Sequence, residues 1–417
     1  MKTLLIKILL IIMGIFYASN AVAAPIPWAT GESRARDLQI MLVTFGVGDD
    51  IPSYWCHTAL AVQDTARQVA RIYNFGLYSF DQSFLMRFVS GKLIFSAGSS
   101  SLSFYLNFYS SINRDIRIVT LNLSPAKRLW LAKELERFIL PENRDYLYDH
   151  YRDNCSTRLR DLIDKAVDGQ LEQTTSGPGR MTLRDHTRRY TGRDPLLEIL
   201  LIFMMSNTID QPVTQWDEMF LPDELERYVL NLTYTDSTGN PRQLAESYNL
   251  YYQSGREPVP EHVLRHWPML LMIGAGLGAL AVLIAWRYRN SRQAWLRVAL
   301  GSGYFLTGIV FGIPGLILAL VSGFTQHTVT FHNENLLLAN PLTLLFIPAG
   351  IMIARNSSRW LKLTAKLWYI HLFGLALAVM IRMAPGFYQE NGLLLCLIAP
   401  LWMGMAFSVY LMPWNRP

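Results

Sequence analysis

The sequence predicts a two-part protein: an exported α+β domain followed by an all-α bundle of about five transmembrane helices. Three observations predict it. The first residues have the pattern of an export signal. Residues 30–265 hold most of the charge, in short strand-like and helix-like segments. Residues 268–413 hold long runs almost free of charge. A chain of 417 residues, half of them apolar or aromatic, is long enough for more than one domain.

Met1-Lys2-Thr3 precedes an apolar run from Leu4 to Phe16 broken only by Lys7, and Ala21-Val22-Ala23 follows as a small-x-small ending. A basic start, a short apolar core and this ending describe a signal peptide over residues 1–23. An uncleaved anchor helix is the alternative, and under either reading the next domain is exported.

Within residues 24–265, Leu38–Gly46 is apolar and partly β-branched. His57–Val62 and Val69–Phe75 flank a polar turn near Gln63–Asp64, a hairpin pattern. Leu93–Ala97 and Ile116–Leu123 read as further strands. Ser124 and Pro125 open a helix over Ala126–Ile139, with serine as N-cap and proline at the first helical position. A second helix begins near Asn154 or Cys155 and runs to about Val167, closed by Gly169. Residues from about 170 to 265 form a helical extension. Within it Leu196–Met205 is apolar but too short to cross a bilayer. It is expected as a core helix, with a surface that dips into lipid as the alternative.

Five apolar segments follow, Pro268–Trp286, Val298–Gly323, Leu336–Ala354, Leu367–Met383 and Leu393–Met412. Each approaches the roughly 20 residues that cross the hydrocarbon core as a helix. Residues 266–417 are therefore the membrane domain. Arg287, Arg289, Arg292 and Arg297 lie between the first two segments, and Arg355, Arg359, Lys362 and Lys366 between the third and fourth. The loops Thr325–Asn335 and Ala384–Gly392 carry no Lys or Arg. Basic loops stay cytoplasmic, so the soluble domain and the uncharged loops face outward and Arg416 faces inward. The reading is a multi-pass protein of a bacterial inner membrane with its soluble domain in the periplasm. The net charge of +6 reports this topology, and no nucleic-acid partner is expected.

Chemistry concentrates in Trp55-Cys56-His57-Thr58-Ala59-Leu60 and Asn154-Cys155-Ser156-Thr157-Arg158-Leu159-Arg160-Asp161. Cys155 falls where polar residues give way to an amphipathic helix. A thiol in a first helical turn faces the positive end of the helix dipole and unpaired N–H groups, both of which favour the nucleophilic thiolate. Arg158 and Arg160 add positive charge. An ordinary small residue at a helix start is the bland alternative. His57 opens a strand from which it can reach a helix start as general base and acid, unless it is simply a solvent-facing histidine. Neighbouring strand residues point to opposite faces, so if His57 faces Cys155, Cys56 faces away and is not the nucleophile. A third polar residue usually orients such a histidine; Asn74 on the next strand is the first choice and Asp81 the second. Cys396 is a packing residue of an apolar run.

His327 and His332 share an outward loop with Asn333, Glu334, Asn335 and Asn340 but have no partners at metal-ligand spacing. No metal or cofactor is expected. This cluster meets lipid headgroups or the soluble domain, or is a hydrated loop. His327 and Asn335, with Asn154 and Arg158, are the candidate substrate-contacting residues.

Trp55-x-His57-Thr58-Ala59-Leu60, Tyr73-Asn74-Phe75-Gly76 and Asn154-Cys155-Ser156-Thr157-Arg158 together resemble the periplasmic domain of the Lnb-type lipoprotein N-acyltransferases. The resemblance continues through Asn113-Arg114, Leu121-Asn122-Leu123-Ser124 and Met219-Phe220-Leu221-Pro222. It reaches the membrane part at Asn333-Glu334-Asn335-Leu336-Leu337 and Asn340-Pro341-Leu342. It implies a permuted papain-like thiol-enzyme domain in which the histidine precedes the cysteine, as His57 precedes Cys155. It also implies a reaction: Cys155 takes an acyl chain from a phospholipid as a thioester and passes it to the α-amine of a diacylated lipoprotein. Two departures are a cysteine at 56, where relatives usually carry glycine, and a serine at 79, where the resemblance leads to an acidic residue. The same core also serves peptidases or amidases of wall peptides and phospholipases, and a non-catalytic assembly factor is a third class. Two lipid-borne substrates account for five helices better than a wall peptide does.

Overall fold

The computed structural model describes residues 26–78, 84–384 and 386–413. The signal-peptide reading, Asp81, Ser79 and Arg416 lie outside the described residues. The chain divides into two compact units: one holds residues up to 84, 93–180 and 213–258, and the other holds 85–92, 181–212 and 259–417.

The first unit is built on an antiparallel sheet, seven-stranded among the described residues. Its strands are β1 (Leu38–Phe45), β2 (His57–Asp64), β3 (Val69–Leu77), β4 (Ile94–Ser101), β5 (Ile116–Leu121), β6 (Asp145–Leu147) and β9 (Ala245–Tyr252), in the order β6-β4-β3-β2-β1-β5-β9. A short pair, β7 (Thr233–Thr235) with β8 (Pro241–Gln243), stands apart. Helix α1 (Leu102–Ser111) covers one face; α2 (Pro125–Phe138) and α3 (Cys155–Ala166) cover the other. This explains the nearly continuous apolar run of β1. Leu38, Ile40 and Leu42 pack toward Leu131, Leu159 and Ile163, while Met41, Val43 and Phe45 pack toward Leu102, Leu106 and Tyr109. A strand buried on both faces has no polar row to alternate with.

The strand and helix readings up to Gly169 hold, with one small shift, but the extension after it is not all helical: β7, β8 and β9 lie within it, and β9 closes the sheet edge beside β5. The hairpin turn lies at residues 65–68 rather than at Gln63–Asp64, and Asp64 still pairs with Val69. The Asp64 carboxylate accepts from the backbone N–H groups of Ala66 and Arg67, both at 3.0 Å, which places the turn after it. Ser124 caps α2 as read, accepting from the Lys127 N–H.

In the second unit, five helices are long and apolar enough to cross a membrane among the described residues: Trp267–Ser291, Ala294–Phe324, Glu334–Ala354, Ser358–Ile381 and Gly392–Leu411. The first and fifth pack through glycine. A Cβ on Gly278 would fall 2.5 Å from the Pro400 carbonyl oxygen, the close backbone approach that small residues permit between membrane helices.

Helix α4 (Pro195–Met204) departs from expectation. It is no core helix of the soluble domain: Ile202 and Phe203 are buried in one cluster with Leu270, Leu338 and Trp368 of the membrane unit, and Leu196 and Leu200 are exposed. Its last carbonyls need donors, and asparagine supplies them. Nδ2 of Asn333 donates to the Phe203 and Met204 carbonyls at 3.1 and 2.9 Å, and Nδ2 of Asn335 donates to Ile202 and Phe203 at 3.1 and 3.0 Å. Residues 181–212 thus belong with the spans, and a single boundary at 265 does not describe the packing.

Candidate active site

Asn154 fixes the start of α3. Its Oδ1 accepts from the Ser156 and Thr157 N–H groups at 2.8 and 2.9 Å, and the Thr157 hydroxyl accepts from the Asn154 N–H at 2.8 Å, a reciprocal capping box. Nδ2 donates to the carbonyls of His150 and Phe220 at 2.7 and 2.9 Å. Every polar atom of this buried side chain is therefore engaged in holding the helix start, and Cys155 is its first residue.

The backbone N–H groups of Thr58, Ser156 and Cys155 itself approach the Cys155 thiol, and Arg114 lies within electrostatic reach. All four favour the thiolate. Burial opposes them and is larger, so the thiol is pushed up to about 11. The expected thiolate is thus not the resting form: a helix start contributes about 0.3–1 kcal/mol to a nearby charge, less than the cost of enclosing a thiolate among apolar groups. Charge on this sulfur would reach Tyr109, Tyr146 and Tyr148, which line the neighbourhood.

His57 pairs with Phe45 across the β1–β2 ladder and shares the α1 side of the sheet with Ala59. Cys155 packs against the cluster under α2 and α3, and the Thr58 N–H approaches its sulfur. Both side chains thus lie at the start of β2, of which His57 is the first residue. Arg114 acts on both, and Tyr109 lies near both, its ring 6.4 Å from that of His57. No hydrogen bond joins His57 to Cys155 among the described residues, and Nε2 of His57 is buried without a partner. Catalytic hydrogen bonds are often long before substrate binds. Burial first, then the charge of Arg114, moves His57 down to about 4, with Asn74 acting the other way.

Asn74 sits against this ring. Its Oδ1 accepts from the Gly76 N–H at 2.7 Å and its Nδ2 donates to the Tyr105 hydroxyl at 2.9 Å, which fixes which end of the amide faces His57. Gly76 is required by space: a Cβ there would lie 2.9 Å from Cε1 of His57. The Tyr73-Asn74-Phe75-Gly76 stretch thus provides the seat of the imidazole.

Cys56 lies just before β2, outside the strand alternation from which its direction was expected. It adopts a left-handed backbone, φ 63°, and its thiol donates to the Asp223 carboxylate at 3.4 Å. Burial and Asp223 push that thiol well up. Arg117 in turn binds Asp223 and Glu226. Of the other candidates, Arg158 is paired with Asp153 at 2.7 Å and lies 3.8 Å over the Tyr146 ring. His327 is half-buried at a turn of the membrane unit, and Asn335 is enclosed there as a cap of α4. Sequence reading named Arg114 only within the resemblance and gave it no role, though its Nε donates to the Gly46 carbonyl at 2.6 Å, and it missed the aromatic wall of Tyr105 and Tyr109. It also missed His150, which contacts the Tyr148 hydroxyl through Nδ1 at 3.2 Å and the Trp55 ring at 4.9 Å.

No curated protein matches this chain, and no solved structure does. Two family models match it: residues 25–189 match the Lnb N-terminal periplasmic domain, and residues 268–412 match the Lnb transmembrane domain. With a periplasmic α+β domain and a five-span membrane domain in the family's order, the chain belongs to the Lnb family.

Proposed function

We propose that this protein is a membrane-anchored thiol acyltransferase. It moves an acyl chain from a phospholipid, through a thioester on Cys155, to the N-terminal amine of a diacylated lipoprotein. The observation that carries the reading is Cys155 as first residue of a capped helix, its sulfur approached by the Thr58 and Ser156 N–H groups, in a periplasmic domain attached to five spans.

With thiol and imidazole both neutral at rest, the first step is general-base catalysis. His57 takes the Cys155 proton as sulfur attacks the ester carbonyl carbon. With the Ser156 and Thr157 N–H groups held by Asn154, the Cys155 backbone N–H stabilises the oxyanion. The carbon–oxygen ester bond breaks, and the departing lysophospholipid oxygen receives the proton from His57. The lipoprotein amine then attacks the thioester and gives a proton to His57. The carbon–sulfur bond breaks, and sulfur recovers the proton. Asn74 holds the ring through both halves and is the proposed third member of the site; Asn154 holds the helix that presents sulfur. Arg158 and His327 are the proposed substrate contacts, and Asn335 supports the loop that carries His327.

Mass spectrometry of lipoprotein N-termini, with and without this protein, tests the reading. Loss of the N-acyl group on removal supports it. Unchanged N-termini overturn it.

A further inference from the structure

At one end of the membrane unit, three joins in the chain enclose a cavity of about 240 Å³. Its polar lining is Tyr288, Arg292, Arg297, Asn356, Ser357 and Ser358; no Asp or Glu lines it. The remaining wall is apolar, from residues such as Ile353, Leu361 and Met412. Nε of Arg297 donates to the Ala354 carbonyl at 3.1 Å, which anchors one guanidinium at the cavity and leaves its outer N–H groups free to serve a ligand. Ion pairs of this unit lie elsewhere, as at Arg184–Asp210, Arg188–Glu198, His266–Glu198 and Arg382–Glu390. Among the described residues neither Arg292 nor Arg297 has a carboxylate partner, and both face this space. The 24-residue helix Ser358–Ile381 also starts there, adding first-turn N–H groups and the positive end of its dipole.

The side of the membrane follows from connectivity. The periplasmic domain precedes the first span, so the ends of the first, third and fifth spans are cytoplasmic. All lining residues lie at these ends. Trp295, exposed beside Arg297 in sequence, is the kind of aromatic residue found at headgroup depth. We propose that this cavity binds the phosphate group of an anionic phospholipid of the cytoplasmic leaflet. A donor-only lining matches phosphate oxygens, and guanidinium is suited to holding them in pairs. An apolar wall at the membrane surface matches the glycerol and first methylenes, which a free phosphate lacks. This site is separate from the acyl donor, which the periplasmic domain would meet on the other side.

Full-length protein in detergent tests the proposal by native mass spectrometry and thermal melting with added phosphatidylglycerol, phosphatidylethanolamine or inorganic phosphate. Wild type should retain phosphatidylglycerol saturably. The Arg292→Gln, Arg297→Gln double variant should bind it at least tenfold more weakly. Arg292→Gln alone, an exposed position that does not threaten folding, should weaken it several-fold. Arg359→Gln, a basic residue of the same cytoplasmic face outside the lining, should bind as wild type. Wild-type retention in the double variant, or equal weakening by Arg359→Gln, would overturn the site. Equal stabilisation by inorganic phosphate and by phosphatidylglycerol would overturn the lipid assignment.

Discussion

The thiol of Cys155 sits where opposing effects meet: backbone N–H groups and Arg114 favour thiolate, and enclosure disfavours it. With the thiol at about 11 and His57 at about 4, neither group is charged at neutral pH. Alkylation of Cys155 by a neutral haloacetamide should therefore keep rising about tenfold per pH unit through pH 9, because thiolate is the reactive form. A plateau below pH 8 would mean a preformed ion pair and would contradict the neutral resting state. The variants order the site by role. In purified enzyme, Cys155→Ala should have no acyl transfer, and His57→Ala should lose at least about a hundredfold, the low end for a general acid–base group. Asn74→Ala should lose less, because it orients without transferring the proton. Cys56→Gly should stay near wild type, since glycine adopts the left-handed backbone at position 56 without strain. A dead but folded Cys56→Gly beside an active Cys155→Ala would reverse the assignment. At this scale, Cys155, Asn154 and Asn74 could be singled out because caps and strand neighbours obey short-range spacing. Arg114 could not: its hydrogen bonds to the Phe45 and Gly46 carbonyls join residues 69 and 68 positions apart.

Among the elements, α3 was legible to within a residue or two because its start and stop are both written locally, in Asn154 and in Gly169 at φ 83°. The cap carries measurable stability. Asn154→Ala removes the acceptor for two N–H groups and the donor for two carbonyls, so it should cost about 1–2 kcal/mol in unfolding free energy, the upper range for an N-cap. Chemical denaturation of the variant checks this; a change below a few tenths would show that the capping box does not hold the helix. Helix α1 was not legible. Leu102-Ser103-Phe104-Tyr105-Leu106 is rich in aromatic residues that also suit strands, and only its packing against β3 and β5 shows the helix. Strand β9 was missed for the opposite reason. Most of its side chains are exposed at a sheet edge, so it has no apolar row to read.

For the whole molecule, the division into a periplasmic and a membrane part was legible from charge and hydropathy, which vary over tens of residues. What composition could not show is that the chain returns to the membrane unit before its first span. The capping of α4 by Asn333 and Asn335 depends on residues about 130 positions away. Topology is open to a direct check. A cysteine introduced at His327 should react with an impermeant external reagent, and one introduced at Arg359 should react only after the membrane is opened. External labelling at 359 would contradict the arrangement of the spans. The central claim, acyl transfer through Cys155, is tested most directly by the intact mass of the purified protein given phospholipid without an amine acceptor. The account predicts an added mass of one fatty acyl chain. Hydroxylamine should remove it, Cys155→Ser should lack this labile adduct, and a lipoprotein with a free N-terminal amine should discharge it. Phospholipid turnover with no such adduct, releasing fatty acid at the same rate with and without the acceptor, would contradict it.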